Sequence, residues 1–349
     1  MSKGNRLSNM LEEALAASDV VEAQCADSAR VEQLAARLAA SPRHVALTIA
    51  RGSSDHAASY FASLAMSRIG LPVASLPMSI ATLQAAPLRV SGELAIAFSQ
   101  SGRSPDLVDT MKALREAGAL TVSAVNAPES PLADTCEWQL PLLAGPERSV
   151  AATKSYIAML SMSAQLVAYW QRDPMLLDAL RALPDTLRDA AALDWTLAVD
   201  MLRDVERMIV IGRGLGLAIA QEAALKLKET SGIQAEAFSS AEVRHGPMEL
   251  IDRDYPLLVF APRGPEQAGL IRLAADMRAR GARVLLAAPA DIAGASGFDA
   301  RLMLATSRHV SLDPIAAIQT FYVMAAQLAA ARGRDPDAPR HLNKITETH

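Results

Sequence analysis

Three glycines recur at one fixed offset. Gly52 and Gly214, Gly70 and Gly232, and Gly102 and Gly264 are each separated by 162 residues in a chain of 349. Every pair falls in the same context: an apolar run, a turn, then a helix-like stretch. Arg115–Ala119 is answered by Arg278–Ala282 with one residue inserted. A constant register of this kind points to duplication of a single α/β unit, and the length suits two ordinary domains.

The predicted elements alternate. Helix-spaced apolar residues cover 7–40, and His44–Ala50 reads as a strand. A turn follows at Arg51–Ser54, with a helix from Asp55 to about Ile69 that Gly70 stops. Leu71–Ser75, Leu94–Phe98 and Leu120–Val125 read as strands, with a helix over Pro105–Ala117. The second copy repeats the order: strand Arg207–Ile211, turn Gly212–Gly216, helix Leu217–Ser231, strand Tyr255–Phe260, a helix ending near Arg280, strand Arg283–Ala287. Alternating strands and helices predict parallel sheets covered on both faces. The fold class is therefore α/β, with two tandem flavodoxin-like units. Their expected extents are a helical segment over 1–40, a first unit over 41–172, a helical linker over 173–194, a second unit over 195–332 and a tail over 333–349.

Hydrophobic residues make up 51% and aromatics only 4%, so Ala, Leu, Val, Ile and Met must build the core. A net charge of -4 gives no electrostatic case for nucleic acid or an anionic membrane. Two cysteines, Cys25 and Cys136, have no metal-type spacing and suit a reducing cytoplasm. The first residues contain no apolar core of a signal sequence. The best membrane candidate by hydropathy, Ser155–Trp170, is short and carries Ser161, Ser163 and Gln165, so it reads as a buried helix. No set of His, Cys and carboxylates predicts a bound metal, and no cofactor is expected. His44, His56 and His309 have no acid or metal partner at useful spacing and read as structural.

The copies differ where chemistry is expected. Ser99-Gln100-Ser101-Gly102-Arg103-Ser104 follows an apolar strand and opens a helix at Pro105. Free backbone N–H groups, the positive helix end and several hydroxyls there form a cup for a phosphate. A plain helix N-cap needs one serine, not several. In the second copy the aligned residues are Ala261-Pro262-Arg263-Gly264-Pro265-Glu266. Proline removes donors and Glu266 repels anions, so the cup belongs to the first copy alone. Lys226 and Glu229 share a helix face, and by spacing alone they read as a surface ion pair of small consequence.

Gly52-Ser53-Ser54, Ser99–Ser104, Gly145–Lys154, Glu222–Glu229, Glu242–Pro247 and His341–Lys344 together resemble the sugar isomerase (SIS) family. The resemblance covers nearly the whole chain after the first helix. It is to the isomerase half of glucosamine-6-phosphate synthase and, more closely, to the stand-alone two-SIS deaminase type, since no glutaminase domain is expected before the first unit.

The resemblance implies roles residue by residue. Ser99, Gln100, Ser101, Ser104 and Ser54 bind phosphate. Ser53, the Val150 backbone and Ala152 contact the sugar, with Ala152 standing where serine is usual and Arg103 where an acidic residue is common. Glu229 moves a proton between C2 and C1, and a single carboxylate can take and return it. Lys226 stabilises a developing oxyanion or holds Glu229 ionised. His245 opens the sugar ring in the partner subunit of a homodimer. Lys344 lies in a tail folded over the site, followed by Thr346 and Glu347; His341 is a lesser candidate. The implied reaction converts glucosamine 6-phosphate and water to fructose 6-phosphate and ammonia in the cytoplasm. Another phosphosugar aldose–ketose isomerase, or an amino-sugar-phosphate deaminase or deglycase, is one alternative. A non-catalytic sugar-phosphate sensor is the other, although no helix-turn-helix or basic face suggests one that reads DNA.

Overall fold

The computed structural model describes residues 7–292, 294, 297–342 and 344. Thr346, Glu347 and the first six residues, all read above, lie outside them. The described chain forms two compact units. One takes residues 19–146 and 155–181; the other takes 7–18, 147–154 and 182–344.

The unit holding residues 19–146 contains strands β1 (Ala46–Ile49), β2 (Val73–Ser75), β3 (Leu94–Ser99), β4 (Leu120–Val125) and β5 (Trp138–Pro141). They pair in parallel in the order β2-β1-β3-β4-β5. The unit holding residues 182–344 contains β6 (Arg207–Gly212), β7 (Gln234–Ser239), β8 (Pro256–Phe260), β9 (Arg283–Ala288) and β10 (Ala300–Met303), in the order β7-β6-β8-β9-β10. The two orders are the same. β1, β3, β4 and β8 are buried at every position, as strands covered on both faces must be. Three strands escape the sequence reading, β5, β7 and β10. All are sheet edges, short or rich in polar residues, and an edge strand needs no continuous apolar run.

The duplication is visible in the backbone itself. Gly52 and Gly214 precede equivalent helices with φ/ψ of 54°/−132° and 55°/−131°. An L side chain is strained at such angles. Gly70 and Gly232 end those helices in the left-handed conformation. The third pair has diverged: φ is +64° at Gly102 and +146° at Gly264.

Helix boundaries differ modestly from expectation. The helix after Gly52 begins at Ser53, and the one after Gly214 begins at Leu215. The latter does not remain α-helical to Ser231. It ends at Lys226 and continues as a π turn over Leu227–Ser231. Helix Lys154–Gln171 is mostly buried. Among the described residues the stretch apolar and long enough to cross a membrane is instead Val310–Ala331, with 78% of its apolar window buried inside the fold. It is a core helix, with Phe321 and Tyr322 fully buried. His44 does have an acid partner: its Nδ1 lies 3.0 Å from Glu93 Oε1. The contact exists because β1 lies beside β3, a neighbour relation that residue spacing does not reveal.

Gly102 is required twice over. Its φ is left-handed, and a Cβ there would stand 2.2 Å from Ser130 Oγ and 2.7 Å from Ser130 Cβ. Gly102→Ala is expected to destabilise the protein by about 2–4 kcal/mol in urea unfolding. Adding Ser130→Gly should recover about 1–3 kcal/mol of that loss as a coupling energy in a double-mutant cycle.

Candidate active site

The Gly52 turn and the Ser99–Ser104 turn follow β1 and β3, adjacent parallel strands. The strand order reverses direction between them, and open α/β sheets bind ligands at such a switch point, past the carboxyl ends of the strands. Ser53 and Ser54 open their helix and are half-buried. Ser99 is buried, and its Oγ accepts from the Gly102 N–H at 2.9 Å. Ser101 Oγ accepts from the Arg103 N–H at 3.4 Å. The expectation of free N–H groups along this turn is therefore corrected at two positions. Serine hydroxyls reach backbone amides two or three residues ahead and hold the turn in shape. Ser104 occupies the N-cap position of Pro105–Glu116 without a side-chain cap bond. Gln100 is half-buried and Arg103 exposed.

Arg51 is an addition from the structure. Its Nε and Nη2 donate to Asp106 Oδ2 at 3.2 and 2.7 Å, and Asp106 is buried. This pair ties the Gly52 turn to the helix that begins at the serine turn. In the other unit the corresponding place is filled by the chain itself. A Cβ on Gly214 would meet Glu266 Oε1 at 2.5 Å, whereas nothing lies within 4 Å of one on Gly52. The carboxylate of Glu266 thus lies against the second turn, while the first is open.

Lys226 and Glu229 belong to the unit holding residues 182–344, and they are not a surface pair. The Lys226 side chain is 1% exposed; its Nζ donates to Glu229 Oε2 and stands 3.5 Å from Glu222 Oε1. Glu222 is fully buried and accepts from the Tyr322 hydroxyl at 3.0 Å. The π turn after Lys226 re-aims Glu229 relative to an α-helical continuation; such turns recur at functional sites. Burial alone would pull the Lys226 ammonium down. The charges of Glu222 and Glu229, and the bond to Glu229, outweigh burial and hold it above the usual lysine range.

The loop 147–153 belongs to the same unit. Glu147 Oε1 accepts from the Thr153 N–H at 3.0 Å. Lys344 Nζ donates to Ser149 O at 2.6 Å and to Glu147 Oε2 at 3.3 Å. The Val150 N–H donates to Asp337 O at 3.3 Å, and Ala152 is half-buried. Glu147 also adds to the field that keeps Lys226 protonated. Glu13, Glu147, Glu222 and Glu229 therefore face two ammoniums, Lys226 and Lys344. His245 ends the 3-10 turn Glu242–His245, exposed and with no side-chain partner among the described residues. No group of His, Cys, Asp and Glu among the described residues could hold a metal ion.

The SIS domain model matches residues 41–169 and 201–331. The chain belongs to the SIS domain family. This SIS chain is 35% identical over 319 residues to the isomerizing glutamine–fructose-6-phosphate aminotransferase of Aeropyrum pernix, covering 85% of itself and 50% of that protein. It spans about half the length of the curated relatives it matches. A Silicibacter pomeroyi structure named as a candidate phosphosugar isomerase superposes with a TM-score of 0.89 at 37% identity, covering 95% of this chain and all of that one. The glucosamine-6-phosphate deaminase of Thermotoga maritima shares the fold, with a TM-score of 0.77 at 20% identity, covering 98% and 100% of the two chains.

The structure brings Lys226 and Glu229 into contact, and sets Lys344 against the loop that carries Val150 and Ala152. Three acidic members of the cluster escape the sequence reading. Glu222 stands four residues before Lys226, a spacing that could have flagged it. Glu147 lies inside the Gly145–Lys154 motif. Glu13 carries no signal, because its partners are 135 and 136 residues away.

Lys226→Met should cost about 3–5 kcal/mol in denaturant unfolding, because it leaves Glu222 buried without its counter-charge. A raised ammonium contributes in full below the ordinary lysine value of 10.5, and loses that contribution only as pH climbs through its higher folded value. Between about pH 6 and 9 Lys226 itself should therefore add no pH dependence to the unfolding free energy of the wild type, measured in urea.

Proposed function

We propose that this SIS protein deaminates an amino-sugar phosphate, converting glucosamine 6-phosphate and water to fructose 6-phosphate and ammonia. One observation carries the reading: a carboxylate, Glu229, bonded to a buried lysine within a cluster where four carboxylates face two ammoniums. That surplus of negative charge favours a sugar phosphate bearing an ammonium at C2 over one bearing a hydroxyl there. The open serine turn supplies a grip for the phosphate, and binding energy from that remote group can be used to hold the reacting carbons in place.

In the proposed chemistry His245, contributed to the site of a partner subunit, opens the pyranose ring. Lys344 assists ring opening or contacts the carbonyl carbon. Glu229 takes the proton from C2 of the open-chain aldehyde, and electrons shift to the C1 carbonyl to give an enediol-type enolamine. Lys226 stabilises the developing oxyanion. The proton returns from Glu229 to C1, leaving a C2 imine, and water hydrolyses the imine to a ketone with release of ammonia. Ser99, Gln100, Ser101, Ser104 and Ser54 hold the phosphate, while Ser53, the Val150 backbone and Ala152 contact the sugar. Both cysteines are free thiols, which suits a reducing cytoplasm.

The similarity to a candidate phosphosugar isomerase supports a second reading, simple aldose–ketose isomerisation. Ammonia assayed beside ketose formation, over a panel of 6-phospho sugars, separates the two. Ketose formed from hexose phosphates with no ammonia from glucosamine 6-phosphate would reject the deaminase. Glu229→Gln should lower kcat by about 10²–10⁴-fold with substrate binding nearly intact. Ser101→Ala should instead raise KM by about tenfold, with kcat little changed. Turnover surviving in Glu229→Gln would remove Glu229 as the base.

A further inference from the structure

The loop that carries Val150 and Ala152 is held from two sides by segments at opposite ends of the chain. From the N-terminal side comes helix Asn9–Leu15. Its Glu13 is buried, and the carboxylate accepts from the backbone N–H of Arg148 and, at 3.2 Å, from that of Ser149. From the C-terminal side come Pro336 and Asp337. Pro336 O accepts from Ser149 Oγ at 3.3 Å, and Asp337 O from the Val150 N–H at 3.3 Å. The Asp337 carboxylate closes the ring by capping the same first helix. Its Oδ2 accepts from Asn9 N at 2.8 Å and from Asn9 Nδ2 at 3.0 Å, and its Oδ1 from Met10 N at 2.7 Å. Lys344 is then anchored on the loop so held, through Ser149 O and Glu147.

We propose that Glu13 is a positioning residue for the active site. It acts through the 147–153 loop to hold the Val150 and Ala152 backbone and to place the Lys344 amine. This rests on the functional reading above. The geometry is more than a helix contact. One carboxylate takes two successive backbone amides of the loop, and the carbonyl of the second, Ser149, receives the Lys344 ammonium. Any loosening at Glu13 therefore passes directly to the lysine.

The environment of Glu13 is costly for a carboxylate. Burial pushes its carboxyl above the usual range and the neighbouring Glu147 charge adds to this, while the Arg148 and Ser149 amides and Lys344 pull it back. A glutamine at this place would remove the cost of burying charge. It would also offer one acceptor where two amides need one each.

The test uses the full chain carrying Glu13→Gln. Lysine acylation by an activated acetate ester, read by mass spectrometry at Lys344, should be about tenfold faster than in wild type. The kcat/KM for glucosamine 6-phosphate should fall about tenfold or more, with most of the loss in kcat. Glu12→Gln, at an exposed neighbouring position, should match wild type in both. Lys344 labelling within twofold of wild type in Glu13→Gln overturns the proposal, whatever the activity. Faster labelling with unchanged kcat/KM overturns it as well, since the clamp would then not serve the chemistry. Should Glu13→Gln fail to fold, Asp337→Asn is read by the same two measurements with the same expected directions. If wild type turns over no amino-sugar phosphate, the functional reading fails alone. The labelling, which needs no substrate, still decides whether Glu13 holds Lys344 in place.

Discussion

A lysine with 1% of its side chain exposed is the constraint on which the second half of this protein turns. Removing an ammonium from water costs several kcal/mol, recovered only with well-placed opposite charges. Lys226 has two such partners, and they are not equivalent. Glu222 is fully buried and fixed by Tyr322 from helix Asp313–Ala331. Glu229 lies on the π turn and retains 20% side-chain exposure. One partner therefore belongs to the core and the other faces outward. A charged lysine between a fixed and an accessible carboxylate suits a site where the accessible one gains and loses a proton.

The duplication supplied two copies of one turn, and a side chain lies against the second but not the first. The Gly52 and Gly214 backbones agree within a degree in both φ and ψ. Their surroundings do not agree. Serines follow β3 in the first copy; in the second, Glu266 places its own carboxylate against Gly214. A carboxylate at that place lies at a helix N-terminus, where negative charge is favoured. Divergence by a few side chains on a retained backbone is enough to make the two turns chemically different.

Two segments more than 300 residues apart meet at one loop. Helix Asn9–Leu15, the 147–153 loop and the tail around Asp337 are joined by backbone and carboxylate hydrogen bonds rather than by apolar packing alone. Hydrogen bonds of this kind fix position more tightly than non-directional apolar contact. Loops that must present backbone groups to a substrate gain from such support.

The architecture can be read from the order of residues. Buried strands read as nearly continuous apolar runs because both sheet faces are covered, and glycines at one offset exposed the repeat because their backbone angles penalise any other residue. That order also located the serine turn and the Lys226–Glu229 pair, since each is local in the chain. Edge strands β5, β7 and β10 were hidden, because exposure removes the apolar signal. Only the folded chain shows that Lys226 is buried between its carboxylates, that Arg51 joins Asp106, and that Glu13, Glu147 and Lys344 meet. Those facts depend on residues tens to hundreds of positions apart becoming neighbours, and hydropathy and spacing report only what lies within a turn or two of the chain.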